Sequence, residues 1–222
     1  MALKLIIFFL IFGYTVGYRI AGESCVLPSS LKPSYDFNWK SKTNEWSNTE
    51  TKTSYMMLAL SCPTYCASLT QAARDKKFQC HPSNSFGLIV HGLWPQALKA
   101  INVRSHPRNC RDEPQLNGTF VKRYLCIMPD EDLVQGEWEK HGTCYYSEAV
   151  DYYTVTENLF KSLQLPEYNF LSTASATAIK DAFITLNGPK IFASAIQVDM
   201  TNGKFKEVKI CYDLEYQFTA CT

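Results

Sequence analysis

Three features of the 222-residue sequence predict an α+β fold with a mainly antiparallel central sheet, several helices and loops, stapled by disulfides. Apolar runs of strand length stand early and late in the chain, with helical periodicities between them. An Asn-Gly pair joins the last two strand-like runs, the strongest short-range hairpin signal. Nine cysteines follow a beginning of the export type, so disulfides are their first reading.

Residues 1–22 are predicted to be a signal peptide: Lys4 precedes the apolar run Leu5–Phe12, and small residues follow. Cleavage after Gly17 and after Gly22 both fit, and Gly22 is the predicted boundary. A signal anchor is the alternative, but the apolar run is too short to span a bilayer comfortably. Residues 23–222 are then one domain in a secreted, periplasmic or lytic compartment, with no repeat, low-complexity tract or linker dividing it. Residues 23–52 are polar and turn-rich, with Tyr35, Trp39 and Trp46 as aromatics able to cover a body.

Tyr55–Ser61 reads as a buried strand and Phe86–Leu93 as a second one, which Trp94-Pro95 should end. A polar loop lies between them. Residues 96–128 are rich in Arg, Asn and Pro and read as loop with short helical pieces. Asp130–His141 reads as a helix capped by Asp130, with acids early and Lys140 and His141 late, although Gly136 and Gly142 weaken the pattern. In Ala149–Leu163, Tyr152, Val155, Leu159 and Leu163 recur at helical spacing. Thr173–Leu186 is a further helix, ended by Asn187-Gly188-Pro189. Ile191–Val198 and Phe205–Tyr212 alternate as strands around Asn202-Gly203.

Lys and Arg total 22 against 21 Asp and Glu. Without residues 1–22 the balance is 20 against 21, which excludes a protein that holds nucleic acid by bulk charge. A structural zinc site is also disfavoured. Cys62 and Cys66 form the only closely spaced cysteine pair, and a zinc site needs a second. Asn117-Gly118-Thr119 is a glycan acceptor if the host glycosylates.

The chain has four histidines. His91 ends an apolar strand in FGLIVHGLWPQ, and His141 stands in GEWEKHGTC with Glu137 four residues before it. Positions four apart share a helix face, so Glu137 and His141 can enter one cleft. Lys140 lies about a hundred degrees off that face, so its inward reach requires the helix end to distort near Gly142. Two imidazoles with a carboxylate and an ammonium suit RNA transesterification. One group takes the 2′-hydroxyl proton, another protonates the leaving 5′-oxygen, and a cation steadies the phosphoryl charge. No metal or cofactor is needed, because the internal 2′-hydroxyl is the nucleophile. The competing reading of His91 is a strand-end histidine bonded to a backbone carbonyl.

Together the two segments resemble the ribonuclease T2 family, whose signatures centre on HGLWP and HEWEKHGTC. His91-Gly92-Leu93-Trp94-Pro95 agrees with the first, and Glu137 through Cys144 agrees with the second without a gap. The resemblance implies His141 as general base, His91 as general acid, and Glu137 and Lys140 as stabilisers of the transition state. It implies that Trp94 stacks on a base and that Gln96 contacts one. The substrate would be single-stranded RNA, cleaved through a 2′,3′-cyclic phosphate to a 3′-phosphate by a monomeric enzyme active at mildly acidic pH. Many relatives carry a third histidine where this chain has Gly136, which implies weaker binding or a lower rate here.

The resemblance also implies disulfides Cys66–Cys80, Cys110–Cys144 and Cys211–Cys221. One pair is expected among Cys25, Cys62 and Cys126, with Cys62 standing where relatives have Trp. His81 and His106 are expected to be solvated loop residues outside the site. Arg104, Arg108 and Arg111 form a basic cluster read either as RNA path or as solvated face. The competing function is a secreted binder on the same scaffold, with Gly136 marking lost catalysis. A metal-dependent nuclease lacks its carboxylate cluster.

Overall fold

The computed structural model describes residues 24–62, 66 and 69–222. The predicted leader, residues 1–22, lies outside them. Strands β1 (Tyr55–Ser61), β2 (Ile89–Gln96), β3 (Ile196–Thr201) and β4 (Lys204–Tyr212) form one antiparallel sheet in the order β2-β1-β4-β3. The helices are α1 (Gln71–Arg74), α2 (Gly118–Tyr124), α3 (Glu131–Lys140), α4 (Ala149–Ser162), α5 (Tyr168–Leu171) and α6 (Ala176–Asn187). The fold is α+β.

One sheet face carries the core. Met56, Leu58 and Leu60 of β1 meet Val90 and Leu93 of β2 and Val208 and Ile210 of β4, beneath Trp138, Tyr152, Tyr153, Phe160 and Phe183 from the helices. The opposite face holds Met57, Trp94 and Cys211 and opens to solvent. Alternation along the strands sends each residue to its face.

Strands β2 and β3 are both displaced along the chain from the sequence reading: β2 starts at Ile89 rather than Phe86, and β3 ends at Thr201 rather than Val198. β2 does not stop before Trp94-Pro95 but runs through Gln96, with Pro95 opposite Met56. A proline is tolerated there because β2 is an edge strand, so its missing N–H breaks no ladder bond. The outward N–H groups of that edge go to Ile127 O from Val90 (2.8 Å) and to the Tyr152 hydroxyl from Leu93 (3.1 Å). β3 begins at Ile196 rather than Ile191, because Ala193–Ala195 forms a 3₁₀ turn. The Asn202-Gly203 turn takes φ of 51° and 73°, the left-handed region that this pair adopts readily.

Disulfides join Cys25–Cys126, Cys66–Cys80, Cys110–Cys144 and Cys211–Cys221. Cys62 is a free, buried cysteine. No helix among the described residues is long and apolar enough to cross a membrane.

Candidate active site

The β1–β2 register slips between Ala59 and Leu60: Ala59 faces Gly92 and Leu60 faces Val90, leaving His91 as the inserted residue. Strict alternation from Leu93 would send His91 into the core. The bulge turns it to the open face, beside Trp94. On β4, Glu207 and Lys209 share that face, opposite Ser61 and Ala59 of the intervening β1. Those β1 side chains are small, so His91 reaches across the strand to Glu207. Its Nδ1 donates to Glu207 Oε1 at 2.6 Å, a carboxylate rather than the backbone carbonyl of the competing reading.

Helix α3 brings the second segment. The Asp130 side chain accepts from the N–H groups of Asp132 and Leu133 and caps it. Six consecutive residues, Val134 to Glu139, are buried, as expected of a helix enclosed on most sides. Glu137 is at the centre of the site. Its Oε2 accepts from Trp94 Nε1 at 2.7 Å and lies 3.8 Å from His141 Nε2. Its Oε1 lies 3.5 Å from Lys140 Nζ and 4.0 Å from His91 Nε2. Lys140 reaches it without helix distortion, because the long side chain spans the i,i+3 step. The helix ends at His141, whose backbone leaves helical geometry at φ −123°.

The two imidazoles have opposite surroundings. Burial works against a positive charge on His91, but the hydrogen bond to Glu207 and the charges of Glu137 and Glu207 outweigh it, so its pKa lies above the usual value. Burial of His141 is stronger, and Arg108, Lys140 and His91 add to it against Glu137, pushing its pKa down to about 3. Its Nδ1 is buried with no hydrogen-bond partner among the described residues, so nothing there supports the imidazolium. Glu137 stays ionised, its pKa lowered despite burial by the ring of His141, His91, Lys140 and the Trp94 N–H.

These groups line a cleft of about 500 Å³ with Trp94, Gln96, Arg108 and Lys209. The Trp94 ring sits between the imidazoles, 5.1 Å from His91 and 5.5 Å from His141 between centroids. Gln96 is buried in the wall, its amide donating to Pro95 O. His81 is exposed and stays outside, bonded to Ser83. His106 does not: it lines the cleft, half-buried, with Nδ1 accepting from Ala97 N–H at 3.2 Å. The expectation of a solvated loop residue fails because that loop folds back over the end of β2. Arg108 is also at the site, donating from Nη1 to His141 Nε2 at 3.2 Å.

The family model described as Ribonuclease T2 family matches residues 53–221. The chain belongs to the ribonuclease T2 family. A probable ribonuclease of Haemophilus influenzae is 35% identical over 181 residues, 78% of this chain and 63% of that protein. A ribonuclease of Aeromonas hydrophila is 34% identical over 113 residues, 50% of this chain and 47% of the relative. The chain thus spans less than two thirds of the length of these curated relatives. Among solved structures, an RNase-related protein from Calystegia sepium shares the T2 fold with a TM-score of 0.59 at 18% identity, covering 78% of this chain and 92% of that one.

Sequence reasoning missed Glu207, Glu45 and Lys209. Glu207 and Lys209 alternate with core residues along β4, a period-two signal that marks their face without saying what lies across it. Glu45 carries no signal in the sequence at all.

Proposed function

We propose that this T2 protein is a secreted endoribonuclease that cleaves single-stranded RNA by transesterification through a 2′,3′-cyclic phosphate, releasing 3′-phosphate ends. The observation that carries the reading is the unlike pair of histidines facing opposite oxygens of the one Glu137 carboxylate. Neutral His141 takes the proton from the 2′-hydroxyl at Nε2. Cationic His91 gives its Nε2 proton to the departing 5′-oxygen, while Glu207 holds the ring through Nδ1. Lys140 lends positive charge to the phosphoryl oxygens, and Glu137, fixed by Trp94, keeps all three basic groups in place. Trp94 and Gln96 contact the substrate from the cleft wall. Slow attack of water on the cyclic phosphate runs the same proton transfers in reverse. The predicted leader and four disulfides support export.

The test is incubation of single-stranded RNA oligonucleotides with the protein, with and without EDTA, across pH. Cleavage that survives chelation, passes through a cyclic phosphate and is lost in both His91→Ala and His141→Ala is expected. Intact RNA under all conditions would favour the binding protein instead. The acid must be protonated and the base free, so kcat/KM should rise as pH climbs through the low pKa of His141, near 3. It should fall only as pH climbs through the raised pKa of His91, above 6.5. A pH–rate profile with its alkaline limb below pH 6 would contradict these roles.

A further inference from the structure

Arg108 reaches the site from a loop outside both signature segments, and its guanidinium is held on two sides. Nε and Nη2 fork onto the Glu45 carboxylate at 2.8 and 2.9 Å, and the guanidinium lies 4.6 Å from the Trp46 ring. Asn109 Nδ2 also donates to Glu45, at 3.2 Å. The third side, Nη1, is directed at His141 Nε2 in the cleft. Glu45 and Trp46 lie in the segment before residue 53, ahead of the family match, whereas Arg108 and Asn109 lie within it.

The geometry limits what Nη1 can do. As general base, His141 must come within about 3 Å of the 2′-oxygen, and that oxygen attacks the adjacent phosphorus. A cation 3.2 Å from the base therefore stands beside the phosphoryl group once RNA is bound. A clamped guanidinium loses little freedom on binding an anion there and presents planar donors matched to phosphate. In the free protein the same N–H covers the lone pair that His141 needs.

We propose that Arg108 is a further catalytic residue: on substrate entry its Nη1 leaves His141 Nε2 and donates to a non-bridging oxygen of the scissile phosphodiester. The exchange frees the base as it engages the phosphate, so the two events are coupled. Glu45 and Trp46 are positioning residues that act through Arg108. The assignment rests on the ribonuclease reading above.

The test measures inorganic phosphate affinity, by ³¹P line broadening, and kcat/KM on a dinucleotide in three proteins. These are the wild-type chain, Arg108→Lys, and the double variant Arg108→Ala/Glu45→Ala, which leaves no half-buried carboxylate without its cation. Loss of a charge-assisted hydrogen bond predicts phosphate binding about ten- to a hundred-fold weaker in the double variant. Its kcat/KM should fall by a similar factor, mostly in kcat. Arg108→Lys keeps the charge without the fork and should fall between. Unchanged phosphate affinity in either variant, or a rate loss no larger than the loss of folded protein by near-UV circular dichroism, overturns the role. If the double variant does not fold, Arg108→Lys alone decides, and wild-type phosphate affinity in it counts against the assignment. Wild-type protein that leaves RNA intact instead overturns the ribonuclease reading, and the phosphate arm still tests the contact.

Discussion

His91 and His141 are the same residue type in opposite surroundings: burial opposes a positive charge on both, and what stands at their ring nitrogens then differs. Glu207 at Nδ1 favours the cation on His91, whereas Arg108 at Nε2 opposes it on His141. Replacing Glu207 by Gln keeps an acceptor but removes the charge. His91 should then lose its proton earlier, moving the alkaline limb of the pH–rate profile to lower pH and lowering kcat/KM most above that limb. A merely structural role for Glu207 would lower kcat/KM evenly at all pH values and leave the limb in place. Gly136 belongs to this scale too. A Cβ there would stand 3.7 Å from Lys140 Nζ and 3.4 Å from Phe37, whose ring lies 4.7 Å from that ammonium. Lys140 and Phe37 thus wall the space beside this glycine. His91, His141, Glu137 and Lys140 were legible because their spacing resembles two known segments. Glu207 was not, and Arg108 only as one of a basic cluster, because their contacts with the imidazoles span 116 and 33 residues.

At the scale of elements, the bulge in β2 and the C-terminal half of α3 set the candidate site. Gly92 lies where the two approach. A Cβ on it would collide with Glu137 Oε2 and stand 2.6 Å from Trp94 Nε1, in a buried position. Gly92→Ala should therefore displace the Glu137 carboxylate and lower kcat/KM at least ten-fold, comparable to losing a charge-assisted contact. Near-wild-type kinetics in that variant would show that Glu137 need not be held there. Gly142 is walled differently, with a Cβ there meeting the rings of Trp138 and Tyr152, the latter at 2.9 Å. Gly142→Ala should destabilise by about 1–3 kcal/mol through overpacking, read as a lower denaturation midpoint. Helices α3, α4 and α6 were readable from periodicity and caps, and the last hairpin from its turn. The bulge at His91 was not, because alternation alone cannot show where a partner strand slips by one residue.

Across the whole molecule, the core lies on one face of the sheet and the candidate site on the other, with loops and the upstream segment closing the cleft. Cys110–Cys144 crosses this arrangement, tying the loop of Arg108 to the turn after His141 across 34 residues. Replacing both cysteines by Ala should cost about 3–4 kcal/mol, lowering the melting temperature by roughly 8–15 °C. At temperatures where the variant remains folded, kcat/KM should still fall, because Arg108 and His141 lose their common tether. A stability loss with unchanged kinetics would make the bridge purely structural. The α+β class could be read from element order, but the cover supplied by Phe37, Glu45 and Trp46 could not. Scattered aromatics in a polar stretch do not say which surface they shield.

The one free thiol carries a consequence for how the chain matures. Cys62 stands four residues ahead of Cys66, so in a reduced chain a loop closed from it to Cys80 would cost little more entropy than the native one. Thiolate is the species that attacks, and enclosure in the finished interior pushes the Cys62 thiol up to about 12. Collapse around β1 therefore removes the competitor: a chain that forms its sheet before it oxidises has only one way to close that loop.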